Sequence, residues 1–375
     1  MIIRESRTED LEAAWRLRKV AFGGDGPRPG TWPGNPAAER RFIAEDDAVC
    51  GFLRVRRFGQ FFGGNVVPMG GIASVAVDPY ARGKGVASGL LDAALRAMHE
   101  DGQPLSTLFT NVPALYRSRG WEQSGVIEHA EVPVDAFRSI PPSPVSLAPV
   151  DKVSFDDLNA CYRATAVDGL LDCSRDDLAD NDLATLAHVD GSVTGYLDLH
   201  RIPGRDRVLY AREFVARDHA TAAALLRSLG SWSGLVQTVR IRLTDPDVLT
   251  FLLPNAFTTE TEPWYLRVVD LPAAVAARGW PAARYLRDGL TADIDLVDPH
   301  APWHEGPHRL IINAGKVHCE PGGPGTIRLH ARALGPWFAG TPTATLRTAG
   351  LLTGNASPLD ALTTSPGPAH LLDTF

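Results

Sequence analysis

The chain has 375 residues, 44% hydrophobic and 22% charged, with a formal net charge of −7. This is the composition of a globular protein long enough for two or three domains, and its acidic balance argues against general nucleic-acid binding, which needs a basic face. No run of about 18 apolar residues occurs, so no membrane span is expected.

The N-terminal stretch is charged within ten residues and lacks a signal-peptide core. The four cysteines, Cys50, Cys161, Cys173 and Cys319, have no CxxC spacing. Together these predict a cytoplasmic protein with no disulfide or metal framework.

In chain order, TEDLEAAWRLRKVAF spaces Leu11, Trp15, Leu17 and Val20 as a helix, with Thr8 as its N-cap. Residues 23–36 hold too many glycines and prolines for an element and predict a loop able to shape a binding site. Strands follow over 41–62 and 69–79, then a helix over 83–100. LSTLFTN reads as a strand, PALYRSRG as a short helix and AEVPVDAF as a closing strand. Pro141, Pro142, Pro144 and Pro149 mark a linker. A second unit repeats the order: a hairpin turning at Asp190-Gly191, then strand, turn and helix over 208–232. A last unit starts near Trp264 with a strand, a helix and antiparallel strands. The apolar ending AHLLDTF predicts a docked C-terminus. His300, His304 and His308 have helical spacing, but Pro299, Pro302 and Pro307 break any helix there, so no metal site is expected.

The segment Arg82-Gly83-Lys84-Gly85-Val86-Ala87 fits Arg-x-x-Gly-x-Ala between a strand and an amphipathic helix. First-turn amides without internal partners make an anion site, strengthened by the helix dipole. Gly83 and Gly85 admit close approach, and Arg82 and Lys84 add charge. No Walker or dinucleotide-binding pattern is present. The strand Val75-Ala76-Val77, then Asp78-Pro79, then this turn, resembles the acetyl-CoA signature of the GNAT N-acetyltransferases. So does Tyr116 followed by Arg119-Gly120-Trp121. The second copy, FVARDHATAAALLRSL, has no glycine in its turn and is expected to keep the fold without a phosphate site.

Over nearly the whole chain the sequence is similar to the Eis (enhanced intracellular survival) family. That resemblance implies an α/β (α+β) chain of tandem GNAT-type domains, the second degenerate, with a sterol-carrier-protein-like domain after them: residues 1–143, 144–263 and 264–375. It implies acetyl-CoA as co-substrate, no metal, a cationic amine of aminoglycoside type as acceptor (hence antibiotic resistance), and a homohexamer. It implies cofactor contacts at Val75, Ala76, Val77, Arg82, Gly83, Lys84, Gly85, Val86, Ala87, Ser88, Asn111 and Val112, the last two on the following strand. Tyr116 is then the general acid and the C-terminal carboxylate of Phe375 the general base, with direct transfer in a ternary complex. Asp25, Trp32 and Asp373 are expected to face the substrate. Thr374 stands where the family often has glutamate. The alternatives are acetylation of protein lysines or another amine metabolite, or a non-catalytic CoA- or lipid-binding regulator.

Overall fold

The computed structural model describes residues 1–24, 26–32, 35–150, 155–244, 246–363, 369–373 and 375. The chain divides into two units. Residues 1–125, 264–369 and the chain end form the first; 126–263 and 370–373 form the second.

In the first unit the chain runs β1 (Ile2–Glu5), α1 (Leu11–Phe22), β2 (Glu39–Glu45), β3 (Val49–Phe62), β4 (Asn65–Val77), α2 (Val86–Glu100), β5 (Leu105–Leu108) and α3 (Pro113–Arg117). β1 to β4 pair antiparallel in sequence order, and β5 joins β4 parallel after the α2 crossover. The crossover helix follows from its pattern: Val86, Leu90, Leu91, Ala94, Leu95 and Met98 are buried on one face. They pack on Phe42, Leu53, Val55 and Ile72 of the sheet, each large side chain contributing about 1.5–3 kcal/mol on burial. The opposite sheet face holds Ile43, Phe52 and Ala76 against Ala14 and Leu17 of α1. Thr8 does not cap α1. It opens a 3-10 turn, and Asp10 takes the local bonds instead, accepting the Arg7 backbone N–H at 2.6 Å and Arg4 at 2.8 Å.

The second unit follows within β6 (Glu122–Pro133) and continues through β7 (Ser146–Pro149), α4 (Phe155–Thr165), β8 (Thr185–Val189), β9 (Ser192–Arg201), β10 (Val208–Ala216), α5 (His219–Leu229), β11 (Thr238–Leu243) and α6 (Pro246–Leu252). The closing strand expected over 130–137 ends at Pro133, and Val134–Ser139 is a 3-10 turn. The β8–β9 hairpin turns at Asp190 and Gly191, both at positive φ (50° and 80°), as a two-residue hairpin requires. β10, α5 and β11 form a parallel crossover like that of β4, α2 and β5. Leu225, Leu226 and Leu229 of α5 pack on Leu197, Leu209, Val239 and Ile241.

The chain re-enters the first unit along β12 (Thr258–Val268), which pairs antiparallel with β5. Then come α7 (Leu271–Ala277), β13 (Thr291–Val297), β14 (Gly306–Asn313), β15 (Lys316–Pro321), β16 (Ile327–His330), α8 (Ala331–Phe338), α9 (Thr343–Thr348), β17 (Leu352–Thr353) and α10 (Ser357–Leu362). The strands form a second sheet in the order β15-β14-β13-β16-β17.

His304 serves packing. Its Nδ1 accepts the Leu271 N–H at 3.0 Å, so Nε2 carries the proton and donates to Asp298 at 2.7 Å. Burial, first of all, lowers the His304 pKa and keeps the ring neutral. Asp298 also takes both bonds from one nitrogen of Arg267, at 2.7 and 2.9 Å; Arg267 and Asp298 are fully buried. Asp298→Ala strands that guanidinium, so urea unfolding should show a loss of about 3–5 kcal/mol. A loss below about 1 kcal/mol would mean the pair is not holding this core.

Candidate active site

β4 is built to leave its partner. Its pairing with β5 covers Met69 to Gly71, opposite Leu105 to Thr107, and ends there. Three residues on, Ser74 and then Val75 stand opposite Leu53 alone, with Ser74 at φ 55°. This is a β-bulge, which twists and bends a strand. The β4 edge from Ile72 to Val77 is thus left unpaired on the β5 side. The Ala76 side chain is buried in the α1-side core, so its backbone is what it offers there; Val75 and Val77 are half-buried.

The strand leads into the glycine turn. Gly83 and Gly85 adopt φ 76° and 78°, the left-handed region that favours glycine, with open space where a Cβ would stand. Gly85 is the N-cap of α2 and supplies no side chain, so the first-turn amides of Val86, Ala87 and Ser88 stay uncapped. Arg82, Gly83, Lys84 and Gly85 are exposed. The equivalent turn before α5 is closed: the Asp218 carboxylate accepts the Thr221 N–H at 2.8 Å. A carboxylate there occupies the donors and repels a phosphate. The first copy therefore offers the anion cradle and the second does not.

Asn111 and Val112 lie beyond β5, not on it. β5 stops at Leu108, and Thr110 Oγ1 accepts the Val112 N–H at 2.8 Å, turning the chain into α3. Val112 is exposed at that helix start, and Pro113 at the first position fixes where the helix begins. Tyr116 on α3 is buried, edge-on to Trp121 with ring centroids 6.3 Å apart. Burial pushes its phenol up to about 12, opposed by a hydrogen bond with Thr110. The Tyr116 O–H therefore holds its proton throughout the neutral range. Gly120 sits at φ 88°, where a Cβ would fall 2.1 Å from the Arg267 guanidinium. The Arg-Gly-Trp run after Tyr116 thus seats α3 on a buried cation.

The Phe375 ring lies on the α1 side of the sheet. It rests on Gly71, where a Cβ would stand 2.5 Å away, and its centroid is 5.1 Å from Phe58 and 5.7 Å from Phe109. The last residue is therefore placed where β4 and β5 part. Trp32 stacks on Phe52 at 5.6 Å, lies 5.0 Å from the Arg41 guanidinium and donates to the Arg7 carbonyl. Asp373, expected to face substrate, is instead ion-paired in the second unit. Arg175, 2% exposed, holds it at 3.1 Å and holds Glu213 at 2.9 Å. The Leu371 N–H donates to Val126, the His370 N–H to Asp168, and Arg242 to the Leu372 carbonyl. Asp25 and Thr374 lie outside the described residues.

Three family descriptions match in turn. The acetyltransferase (GNAT) domain matches residues 2–124, a second acetyltransferase (GNAT) domain 169–268, and the sterol carrier protein domain 271–371. The chain is an acetyltransferase of the GNAT type. Its two GNAT domains precede a sterol carrier protein domain. Among solved structures it is similar to a GCN5-related N-acetyltransferase from Kribbella flavida. The two share 28% identity over all of this chain and 98% of that one, with a TM-score of 0.81. A GCN5-related N-acetyltransferase from Anabaena variabilis matches at 22% identity over the whole of both chains, with a TM-score of 0.84. Eis1 from Mycobacterium abscessus matches at 20%, again over both whole chains, with a TM-score of 0.75, so the GNAT tandem has an Eis-like fold. No curated protein matches the sequence.

Proposed function

We propose that this GNAT protein transfers acetyl from acetyl-CoA to the amine of a small molecule, directly within a ternary complex. The observation that carries the reading is the seating of Phe375 on Gly71, where the β4 edge opens toward the uncapped start of α2. The turn residues Arg82 to Ser88 suit a pyrophosphate, and the unpaired backbone of Val75 to Val77 suits an extended amide chain. Asn111 and Val112 are assigned to the same cofactor by the Eis resemblance. When bound there, acetyl-CoA supplies the acetyl group as an activated thioester.

The chain's own groups handle the protons. As the amine's C–N bond to the acetyl carbon forms and the C–S bond breaks, the nitrogen becomes acidic. The Phe375 carboxylate takes its proton; an α-carboxylate is ordinarily a weak base, of pKa about 3.3–3.7. Tyr116 donates its O–H to the departing sulfur. A phenol near 12 is a weaker acid than an ordinary thiol, so the O–H acts first as a hydrogen-bond donor. No enzyme nucleophile is needed.

The reading keeps domain limits at 143/144 and 263/264, an aminoglycoside-type amine as first candidate acceptor and a homohexamer from the Eis resemblance, and a cytoplasmic setting from the N-terminal stretch and the cysteines. Calorimetry with CoA tests its cofactor half. One site per chain is expected, and Gly85→Asp, which adds charge and a strained φ, should weaken it at least about tenfold. Two sites per chain, or an unaffected variant, would refute the assignment to α2.

A further inference from the structure

The second unit keeps a cleft beside its crossover although it lacks the anion cradle. β10 pairs with β11 from Val208 to Ala211, opposite Thr238 to Ile241, and the pairing ends there. Beyond it a cavity of about 420 Å³ opens among Phe214, Ala216, Leu243, Val248, Leu252 and Leu372. That volume is ordinary for a small-molecule site. Every residue lining it belongs to the second unit.

The β10 edge supplies the polar groups of this cleft. The Arg217 N–H donates to the Thr194 carbonyl at 2.9 Å, and antiparallel bonding to β9 involves every second residue. Glu213 and Val215 therefore turn their backbone groups to β9, while Phe214 and Ala216 turn theirs to the cleft. N–H and C=O are presented together, as on a sheet edge that can take another extended chain. The hydroxyls of the wall are already spent. Tyr162 donates to the Leu171 carbonyl at 2.7 Å, and Thr165 to the Cys161 and Tyr162 carbonyls at 3.2 and 3.1 Å. Phe251 stands at the mouth, 83% exposed, as an apolar surface for a ligand to cover.

Charge sets the ligand class. The place for an anion at the start of α5 is filled by Asp218, whose carboxylate accepts the Thr221 N–H at 2.8 Å. Arg217, exposed beside it, offsets that charge at the rim. We infer that this cleft binds a neutral acyl amide. Its amide pairs with the β10 edge at Phe214 and Ala216, and its acyl chain lies against Val248, Phe251 and Leu252. The site belongs to the second unit and does not depend on acetyl transfer in the first.

Probes of one chain length decide it: N-methyloctanamide against methyl octanoate, octanoate and octylammonium, titrated calorimetrically into full-length protein saturated with CoA. The amide should bind once per chain and most tightly. The ester should bind at least about fivefold more weakly, because it leaves a strand carbonyl without a donor. Hydrogen exchange should slow at residues 214–217 and 248–252 when the amide is present. Phe251→Ala, at an exposed position, should weaken the amide about fivefold or more. Asp218→Asn keeps the helix cap and removes its charge, so octanoate should gain several-fold while the amide is unchanged. An ester or charged probe that equals the amide, or amide binding that is lost when CoA is present, overturns the inference. So do an unchanged affinity in Phe251→Ala, an octanoate affinity unmoved by Asp218→Asn, protection confined to residues outside the second unit, and no binding at all.

Discussion

Tyr116→Phe is expected to lower kcat by about 10²–10⁴-fold, the usual contribution of a positioned acid, while the KM for acetyl-CoA barely moves. The ring contact with Trp121 survives the change, so a thermal scan should show nearly wild-type stability. The hydroxyl's loss removes the donor for the departing sulfur together with its hydrogen bond with Thr110. The pH dependence gives a second readout. Burial raises the phenol to about 12, so in the wild type Tyr116 causes no loss of rate until pH nears that value. The same shift makes folding less favourable as pH rises from about 10, where the unfolded phenol ionises, to about 12. A Phe variant with unchanged kcat would remove Tyr116 from the chemistry.

The second large effect is at the chain end. One alanine added after Phe375 moves the carboxylate by a residue while the ring stays free to sit on Gly71. We expect kcat/KM to fall by about 10²-fold or more, with CoA affinity unchanged. Asp373 and Arg175 hold the tail two residues earlier, so the extension should not release it, and limited proteolysis should look the same. Full activity in the extended chain would mean that another group takes the amine's proton.

The crossover units were legible because their signals are local. α2 announces itself by its apolar stripe and by two glycines that only a left-handed turn needs, and the absence of glycine before α5 foretold a closed turn. The sequence could not show that Asp218 would do the closing, since N-capping depends on where the helix starts. Val75 to Val77 were visible as a strand, but the bulge at Ser74 that opens it was not, because a non-glycine residue at positive φ leaves no compositional mark. Asn111 and Val112 were misplaced for a similar reason: Pro113 marks a helix start, and the preceding residues were read as strand.

Long-range pairings were the least readable. Asp373 looked like a substrate ligand because it lies near the terminus, and its partner Arg175 is 198 residues away. Alternation along β3 puts Arg54 and Arg56 on one face, but which face receives the C-terminus follows only from register.

The central claim is acetyl transfer to an amine at the first-unit site. The most direct measurement follows thiol release from acetyl-CoA and, by mass spectrometry, the acetylated amine in the same reaction. The account predicts one acetylated amine per thiol released, both abolished together in the Tyr116→Phe and extended-terminus proteins. Thiol release without acetylated product, or product formed equally well by both variants, would contradict it.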